Sequence, residues 1–318
     1  MTEPTVLQSR ITAAARATVY VTFTLALVPV QAFALLLRLP LSRRIPLWYH
    51  RICCRLLGIR LEVYGRRSRT RPTLFVANHS SYLDIPIYGA LIPGSFVAKS
   101  EVAEWPLFGL LAKLQRSVFV DRRVRTSHLQ ATALGRRLEG GDSIILFPEG
   151  TSDDGNHILP FKSALLSVAE YRVQGKPLTV QPVSLTYSRL DGMPIGRHLR
   201  PYFAWYGDMD MISHATDLFG LGRLTVTVLF HPTVTIDEFG SRKALAQHCH
   251  EQILRSHADS LSGRIQPMVG TSGKWDWIRW RLRPRLSDLK GLRRAKKGFA
   301  SPREKRASTR LDSKTSKA

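Results

Sequence analysis

Thr73-Leu74-Phe75-Val76-Ala77-Asn78-His79-Ser80-Ser81-Tyr82-Leu83-Asp84 joins an apolar pentapeptide to a polar turn that carries a histidine and, five residues on, a carboxylate. The pentapeptide reads as a strand. Residues five apart on one continuous helix lie about 140° apart and do not meet. A helix must therefore begin between His79 and Asp84, with Ser80 or Ser81 as its N-cap and Tyr82 near its start. Asp84 then lies in the first turn and reaches back to the His79 ring. It would take the Nδ1 proton and leave Nε2 as a base for a hydroxyl, the division of labour of a serine-protease dyad. A loop histidine bonded to a helix-capping aspartate is the competing reading of the same residues.

About 65 residues later, Ser143-Ile144-Ile145-Leu146 leads into Phe147-Pro148-Glu149-Gly150-Thr151. Here too a strand ends in a loop, with Gly150 permitting close backbone approach and Glu149 and Thr151 offering polar groups. In an open α/β sheet both loops fall at strand carboxyl ends, where such sheets bind ligands. The alternative is an ordinary turn with a solvated glutamate. Two intermediate segments have the same character: Lys99 follows Gly94 to Ala98, and Asp121-Arg122-Arg123 follow Ser117 to Val120. Arg122 is suited to clamp a phosphate through two hydrogen bonds and Lys99 to act as a point charge, or both are solvated strand-end charges. Val180 to Leu185 reads as a further short strand, which Pro182 should confine to an edge or a sheet end.

These segments, in this order and at these intervals, resemble the glycerolipid acyltransferase superfamily, whose archetype is 1-acyl-sn-glycerol-3-phosphate acyltransferase. The resemblance spans roughly residues 60 to 240. Asn78 to Asp84 is similar to the family's His-x4-Asp motif, Val118 to Arg122 to its arginine motif, Phe147 to Thr151 to its Phe-Pro-Glu-Gly-Thr motif, and Val180 to Leu185 to its proline motif. Lys99-Ser100-Glu101 and Trp105 to Gly109 resemble the stretch between the first two motifs. The resemblance implies an α/β fold with a mixed, mostly parallel sheet flanked by helices. It also implies direct acyl transfer from acyl carrier protein or acyl coenzyme A to a lysophospholipid hydroxyl. His79 and Asp84 would be catalytic, and Glu149, Gly150, Thr151 and Arg122 would bind substrate, with backbone donors near Lys99 stabilising the oxyanion.

The chain departs from the family where many members place an arginine after Glu-Gly-Thr and this one continues Ser152-Asp153-Asp154. Two acids there repel a phosphate. Lys162 occupies a basic position common downstream in the family and supplies some of the missing charge. Lysophosphatidic acid is the first acceptor expected; a lyso-aminolipid such as lyso-ornithine lipid is the alternative, because the acids welcome an amine.

The 318 residues carry 47 Lys and Arg against 24 Asp and Glu, a net charge of +23, which favours anionic lipid or polyanions as partners. Ala17 to Leu37 is uncharged for about twenty residues, long enough to span a bilayer, though Pro29 and Gln31 also fit a kinked or re-entrant helix. If it spans, Arg38, Arg43, Arg44, Arg51 and Arg55 place the catalytic domain on the cytoplasmic face. Ile45 to Leu57 reads as an interfacial amphipathic helix or one packed on the core. From Gln266 onward the tail holds sixteen Lys or Arg against four Asp or Glu, with Trp275, Trp277 and Trp280 as interfacial anchors or as part of a solvated tail. Charge and aromatics would also suit nucleic acid, but nothing else supports that class and no nucleic-acid partner is expected.

Three regions result: membrane-associated helices over 1–58, an acyltransferase domain over 59–264, and a basic, largely disordered tail over 265–318. Strands are expected near 61–64, 73–77, 95–98, 117–120, 143–147, 178–185 and 224–231, with helices over Leu129–Leu138, Phe161–Tyr171 and Arg242–Ala258. No Gly-x-Ser-x-Gly elbow, P-loop or paired Cys-x2-Cys occurs, which disfavours serine hydrolases, P-loop nucleotidases and cysteine zinc sites. Cys53, Cys54 and Cys249 form no disulfide framework, and His248, His250 and His257 read as helix-surface residues. No metal or cofactor is expected.

Overall fold

Two central strands, β2 (Thr73–Ala77) and β5 (Ser143–Leu146), are buried at every residue, which is why each reads as an unbroken apolar run. The computed structural model describes residues 9–120 and 134–265. Arg122, residues 129–133 of the helix expected over Leu129–Leu138 and the tail from Gln266 lie outside them.

The sheet adds β1 (Ile59–Gly65), β3 (Gly94–Lys99), β4 (Val118–Val120), β8 (Thr179–Leu190) and β10 (Leu224–Phe230). Its order is β1-β10-β8-β2-β5-β3-β4, with β9 (Met193–Pro194) pairing to β8. Among the described residues, only β10 with β8 and β8 with β9 pair antiparallel in this sheet, and the other neighbouring strands pair parallel. A separate pair of two-residue strands, β6 (Arg172–Val173) and β7 (Lys176–Pro177), stands apart. The architecture is the mixed, mostly parallel sheet that the resemblance implied.

Helices α3 (Asp84–Leu91), α4 (Phe108–Leu114), α5 (134–139), α6 (Met211–Phe219) and α7 (Arg242–Leu261) flank this sheet. One face of the core gathers Leu74, Val76, Ile144, Leu146 and Val180 against Leu245 and Cys249 of α7. His257, expected on the helix surface, is buried instead, its Nδ1 3.0 Å from Thr186 Oγ1, because this face of α7 lies on β8. Phe161–Tyr171 also differs from expectation. Only Leu165–Glu170 is helical, as a 3₁₀ segment, because Lys162 N is drawn to Pro148 O at 2.9 Å and the backbone is tied to the preceding loop.

Pro182 lies in an interior strand, not at an edge. Its carbonyl accepts from His231 N at 3.0 Å, so its ring nitrogen, which has no proton, faces the same residue. The bond that a backbone N–H would have made to His231 O is supplied by the side chain next to it: Gln181 Nε2 donates there at 2.8 Å. Gln181 is buried and also bonds Arg66 O and Ser68 N.

The N-terminal helix α1 (Arg10–Leu36) is apolar and long enough to cross a membrane and runs continuously through Pro29. Along one side it is tied to the folded domain. Arg16 Nη1 donates to Phe219 O and Leu221 O, and Gln31 Nε2 donates to Ser42 O and Leu114 O. Its other side leaves Ile11, Val19, Val21, Leu25, Val30 and Phe33 exposed. Helix α2 (Ile45–Leu56) packs on α3, with the His50 ring against Gly89 and Cys54 Sγ donating to Pro86 O at 3.4 Å, and Trp48 is exposed, so the packed alternative is the one observed. Gly89 of α3 permits this approach, since a Cβ there would collide with the His50 ring.

Candidate active site

Parallel pairing of β2 and β5 in the register Val76↔Leu146 carries His79 and Glu149, each three residues further on, to the same sheet end. Here the chain turns away from the sheet. His79 Nδ1 lies 2.8 Å from Asp84 Oδ2, and the ring stacks on Phe147 at 4.3 Å and 16°. Nε2 has no partner among the described residues, and the side chain is 23% exposed, whereas that of Asp84 is 1% exposed. The buried carboxylate is thus sealed behind an imidazole with one accessible nitrogen.

The expected helix start between the two residues is present, with Asp84 as the first residue of α3. The N-cap position is taken by Leu83, not by Ser80 or Ser81; the Ser81 hydroxyl accepts from Leu83 N at 3.4 Å, and the Ser80 and Ser81 amides both donate to Asp84 Oδ2, at 2.7 and 3.0 Å. The remaining oxygen, Oδ1, accepts from Tyr187 Oη at 2.6 Å. Every face of the buried carboxylate therefore meets a donor.

Glu149 is buried and occupied. Oε1 accepts from His79 N at 2.7 Å and Oε2 from Leu159 N at 2.9 Å. Burial pushes its carboxyl up to about 8; the two amides pull it down in part, and Asp84 and Asp153 raise it further. Gly150 has φ +72°, a backbone that favours glycine, and a Cβ built there would lie 3.2 Å from Lys162 Nζ. Lys162 is exposed and covers that turn, while Thr151 is exposed beside it. Lys99 is the exposed last residue of β3, paired with Val120, at the same sheet end. The geometry joins His79, Asp84 and Glu149 directly, and Gly150 with Lys162 forms a second group next to them.

Three contributions to this site have no assigned role in the sequence reading. Asn78 bonds Leu185 through both its amide atoms, Nδ2 to O at 3.0 Å and Oδ1 from N at 2.8 Å, prolonging the β2–β8 pairing past the strand end. Trp205 stitches two loops together: its N donates to Ser80 O at 2.8 Å and its O accepts from Ser152 Oγ at 2.5 Å. Tyr187 is the third. The position of Asn78 at a strand end is a usable signal, but nothing local marks Trp205 or Tyr187. Beyond Thr151, one ligand atom each of Asp153, Asp154 and His157 lies within 4.8 Å of the others, a partly exposed acidic lip.

The chain matches the Acyltransferase family model over residues 60–186. It is 42% identical to the lyso-ornithine lipid O-acyltransferase of Rhizobium meliloti, over 76% of this chain and 84% of that one. It is 32% identical to the 1-acyl-sn-glycerol-3-phosphate acyltransferase of Neisseria gonorrhoeae, over 64% of this chain and 76% of that one. The crystal structure of the 1-acyl-sn-glycerophosphate (LPA) acyltransferase, PlsC, from Thermotoga maritima shares the fold, with a TM-score of 0.58 at 23% identity, covering 81% of this chain and 96% of that one. The chain therefore belongs to the glycerolipid acyltransferase superfamily, in the 1-acyl-sn-glycerol-3-phosphate acyltransferase family, and is an acyltransferase of lysolipids.

Proposed function

We propose that this protein transfers a fatty acyl chain from an acyl thioester to the free hydroxyl of a lyso-ornithine lipid. His79 Nε2 removes the hydroxyl proton as the oxygen attacks the thioester carbonyl. Asp84 holds the imidazole through Nδ1 and stabilises its charge. The tetrahedral intermediate then collapses, the carbon–sulfur bond breaks, and the proton on His79 is available to the departing thiolate. No covalent acyl-enzyme is needed. The observation that carries this chemistry is the 2.8 Å contact of His79 Nδ1 with buried Asp84, which leaves Nε2 open. Backbone donors near Lys99 are assigned to the oxyanion, and Arg122, Gly150, Thr151 and Lys162 to the acceptor headgroup. Glu149 is assigned to holding the loop that bears His79.

The acceptor is inferred from charge and from kinship. Asp153 and Asp154 repel a phosphate and attract the ammonium of an ornithine headgroup. Relatives named for lyso-ornithine lipid are 36 to 42% identical to this chain, against 32% for the bacterial relatives named for 1-acyl-sn-glycerol-3-phosphate. Lysophosphatidic acid, the acceptor expected first from the sequence, is the second reading. It is favoured by Lys162 at the Gly150 turn and by the names of those latter relatives.

The protein is assigned to the cytoplasmic membrane with its catalytic domain on the cytoplasmic face. Support comes from the exposed apolar side of α1 and from the basic tail, which suits the anionic lipid of the cytoplasmic leaflet. Acyl carrier protein is acidic and suits a chain of charge +23, and coenzyme A brings polyphosphate to the same surface.

The test is acyl transfer by purified protein in detergent, with acyl carrier protein and coenzyme A thioesters as donors and both lysolipids as acceptors. Faster turnover of lyso-ornithine lipid, lost in His79→Ala, is expected. Preference for lysophosphatidic acid overturns the acceptor, and full activity in His79→Ala overturns the mechanism.

A further inference from the structure

We infer that Tyr187 is a positioning residue for this acyl transfer, its hydroxyl pinning the Asp84 carboxylate at the end opposite His79 so that the dyad keeps its alignment. The inference rests on the proposed base role of His79.

Asp84 receives its donors from two kinds of source. The three on Oδ2, His79 Nδ1 and the amides of Ser80 and Ser81, all belong to the loop immediately before α3. None of the three links the carboxylate directly to the sheet. Tyr187 belongs to β8, 103 residues further along the chain, and holds Oδ1 at 2.6 Å, the length expected of a hydroxyl donating to an ionised carboxylate.

The tyrosine is itself held in place. Asn78, adjacent to His79, locks Leu185 through both amide atoms, and Tyr187 lies two residues on, on the same face of the strand. Its ring stacks on Phe203 at 6.1 Å and 17°. Burial and the nearby Asp84 charge hold its hydroxyl well above the ordinary tyrosine value, so it remains a donor wherever the enzyme works. The titratable groups around it are Asp84 and Tyr88 from α3, with His79 beyond Asp84 and Glu149 facing Tyr88 from the loop after β5. Among the described residues no other side chain donates to Oδ1.

Tyr187→Phe keeps the ring and removes only the donor. A hydrogen bond to a charged group is worth about ten- to a hundredfold, so kcat should fall by roughly that factor while the acceptor KM stays within about twofold. The acid limb of kcat/KM should also move to higher pH. Without the Tyr187 hydroxyl the Asp84 charge is less dispersed and stabilises the imidazolium more strongly, which acts in that direction. A purely structural role would lower Tm and leave the limb in place. Unfolding temperature, kcat, KM and the pH profile of Tyr187→Phe are therefore measured beside those of His79→Ala. A tenfold or greater fall in kcat with a raised acid limb supports the inference. Unchanged kinetics, or a lower Tm with an unmoved limb, in an enzyme that His79→Ala inactivates, overturns it alone. Full activity of His79→Ala overturns the base assignment and this inference together.

Discussion

The backbone N–H of His79 donates to Glu149 Oε1 at 2.7 Å, so a carboxyl from the loop after β5 holds the peptide that carries the imidazole. With Oε2 engaged by Leu159, Glu149 braces two loops at once. Its carboxyl, normally near 4.5, is pushed up to about 8 by burial. Between these values the folded protein retains a proton that the unfolded chain has released, so this group's contribution to stability falls as pH rises from 4.5 to 8. The slope is at most about 1.4 kcal/mol per pH unit. Glu149→Gln does not titrate, and its amide must turn one N–H toward a backbone donor. The variant should be the less stable protein at pH 4.5, with the gap narrowing toward pH 8. Thermal unfolding of both proteins across that range measures the gap; a constant difference removes the proposed ionisation.

Asp84→Asn tests the dyad from the carboxylate side. The buried side chain accepts four hydrogen bonds and an amide cannot accept all of them with one oxygen. If oxygen stays on the two serine amides, nitrogen must face the Tyr187 hydroxyl, which can turn to accept it, and the dyad loses its negative charge in either orientation. By analogy with triads in which the aspartate is neutralised, kcat should fall by about 10³- to 10⁴-fold. Single-turnover acyl transfer at saturating acceptor measures it, and retention of more than about a tenth of wild-type kcat would contradict a base held by Asp84.

Gln181→Leu addresses Pro182. The substitution keeps side-chain volume but strands Ser68 N, Arg66 O and His231 O, of which His231 O lies where a proline cannot donate. The bond to His231 O is buried, whereas Arg66 is exposed and Ser68 half-buried and both can turn to water; one buried group left unsatisfied costs about 1–3 kcal/mol, so a loss of that order is expected, with the dyad intact in the protein that remains folded. Denaturant unfolding reads the cost. A stability within about 0.5 kcal/mol of wild type would mean that water replaces the amide and that Gln181 is dispensable to the interior strand.

The same contrast explains what the sequence revealed. The strands β2 and β5 were legible because complete burial writes an unbroken apolar run. The dyad was legible because His79 and Asp84 meet within one turn. Pro182 misled because the compensating amide belongs to a neighbouring polar side chain, and polarity alone does not show where Gln181 points. Phe161–Tyr171 has the apolar spacing of an α-helix, yet the bond from Lys162 N to Pro148 O holds its start in another course. Trp205 and Tyr187 act across more than fifty residues of chain, through contacts that no local pattern records.

Gln31 separates a docked α1 from an independent membrane helix. It is buried, and its Nε2 donates to Ser42 O at 3.0 Å and Leu114 O at 2.8 Å, tying the second half of α1 to the end of α4. Gln31→Leu makes the helix more apolar while removing both bonds. A helix crossing the bilayer on its own would tolerate this change or be favoured by it. A docked helix loses two hydrogen bonds and strands two carbonyls, at a cost of about 1–3 kcal/mol for each group left unsatisfied. The variant in detergent should therefore unfold at a lower temperature than wild type and be cleaved faster by protease within residues 37–44. Equal stability and equal cleavage would show that α1 holds its place without the domain.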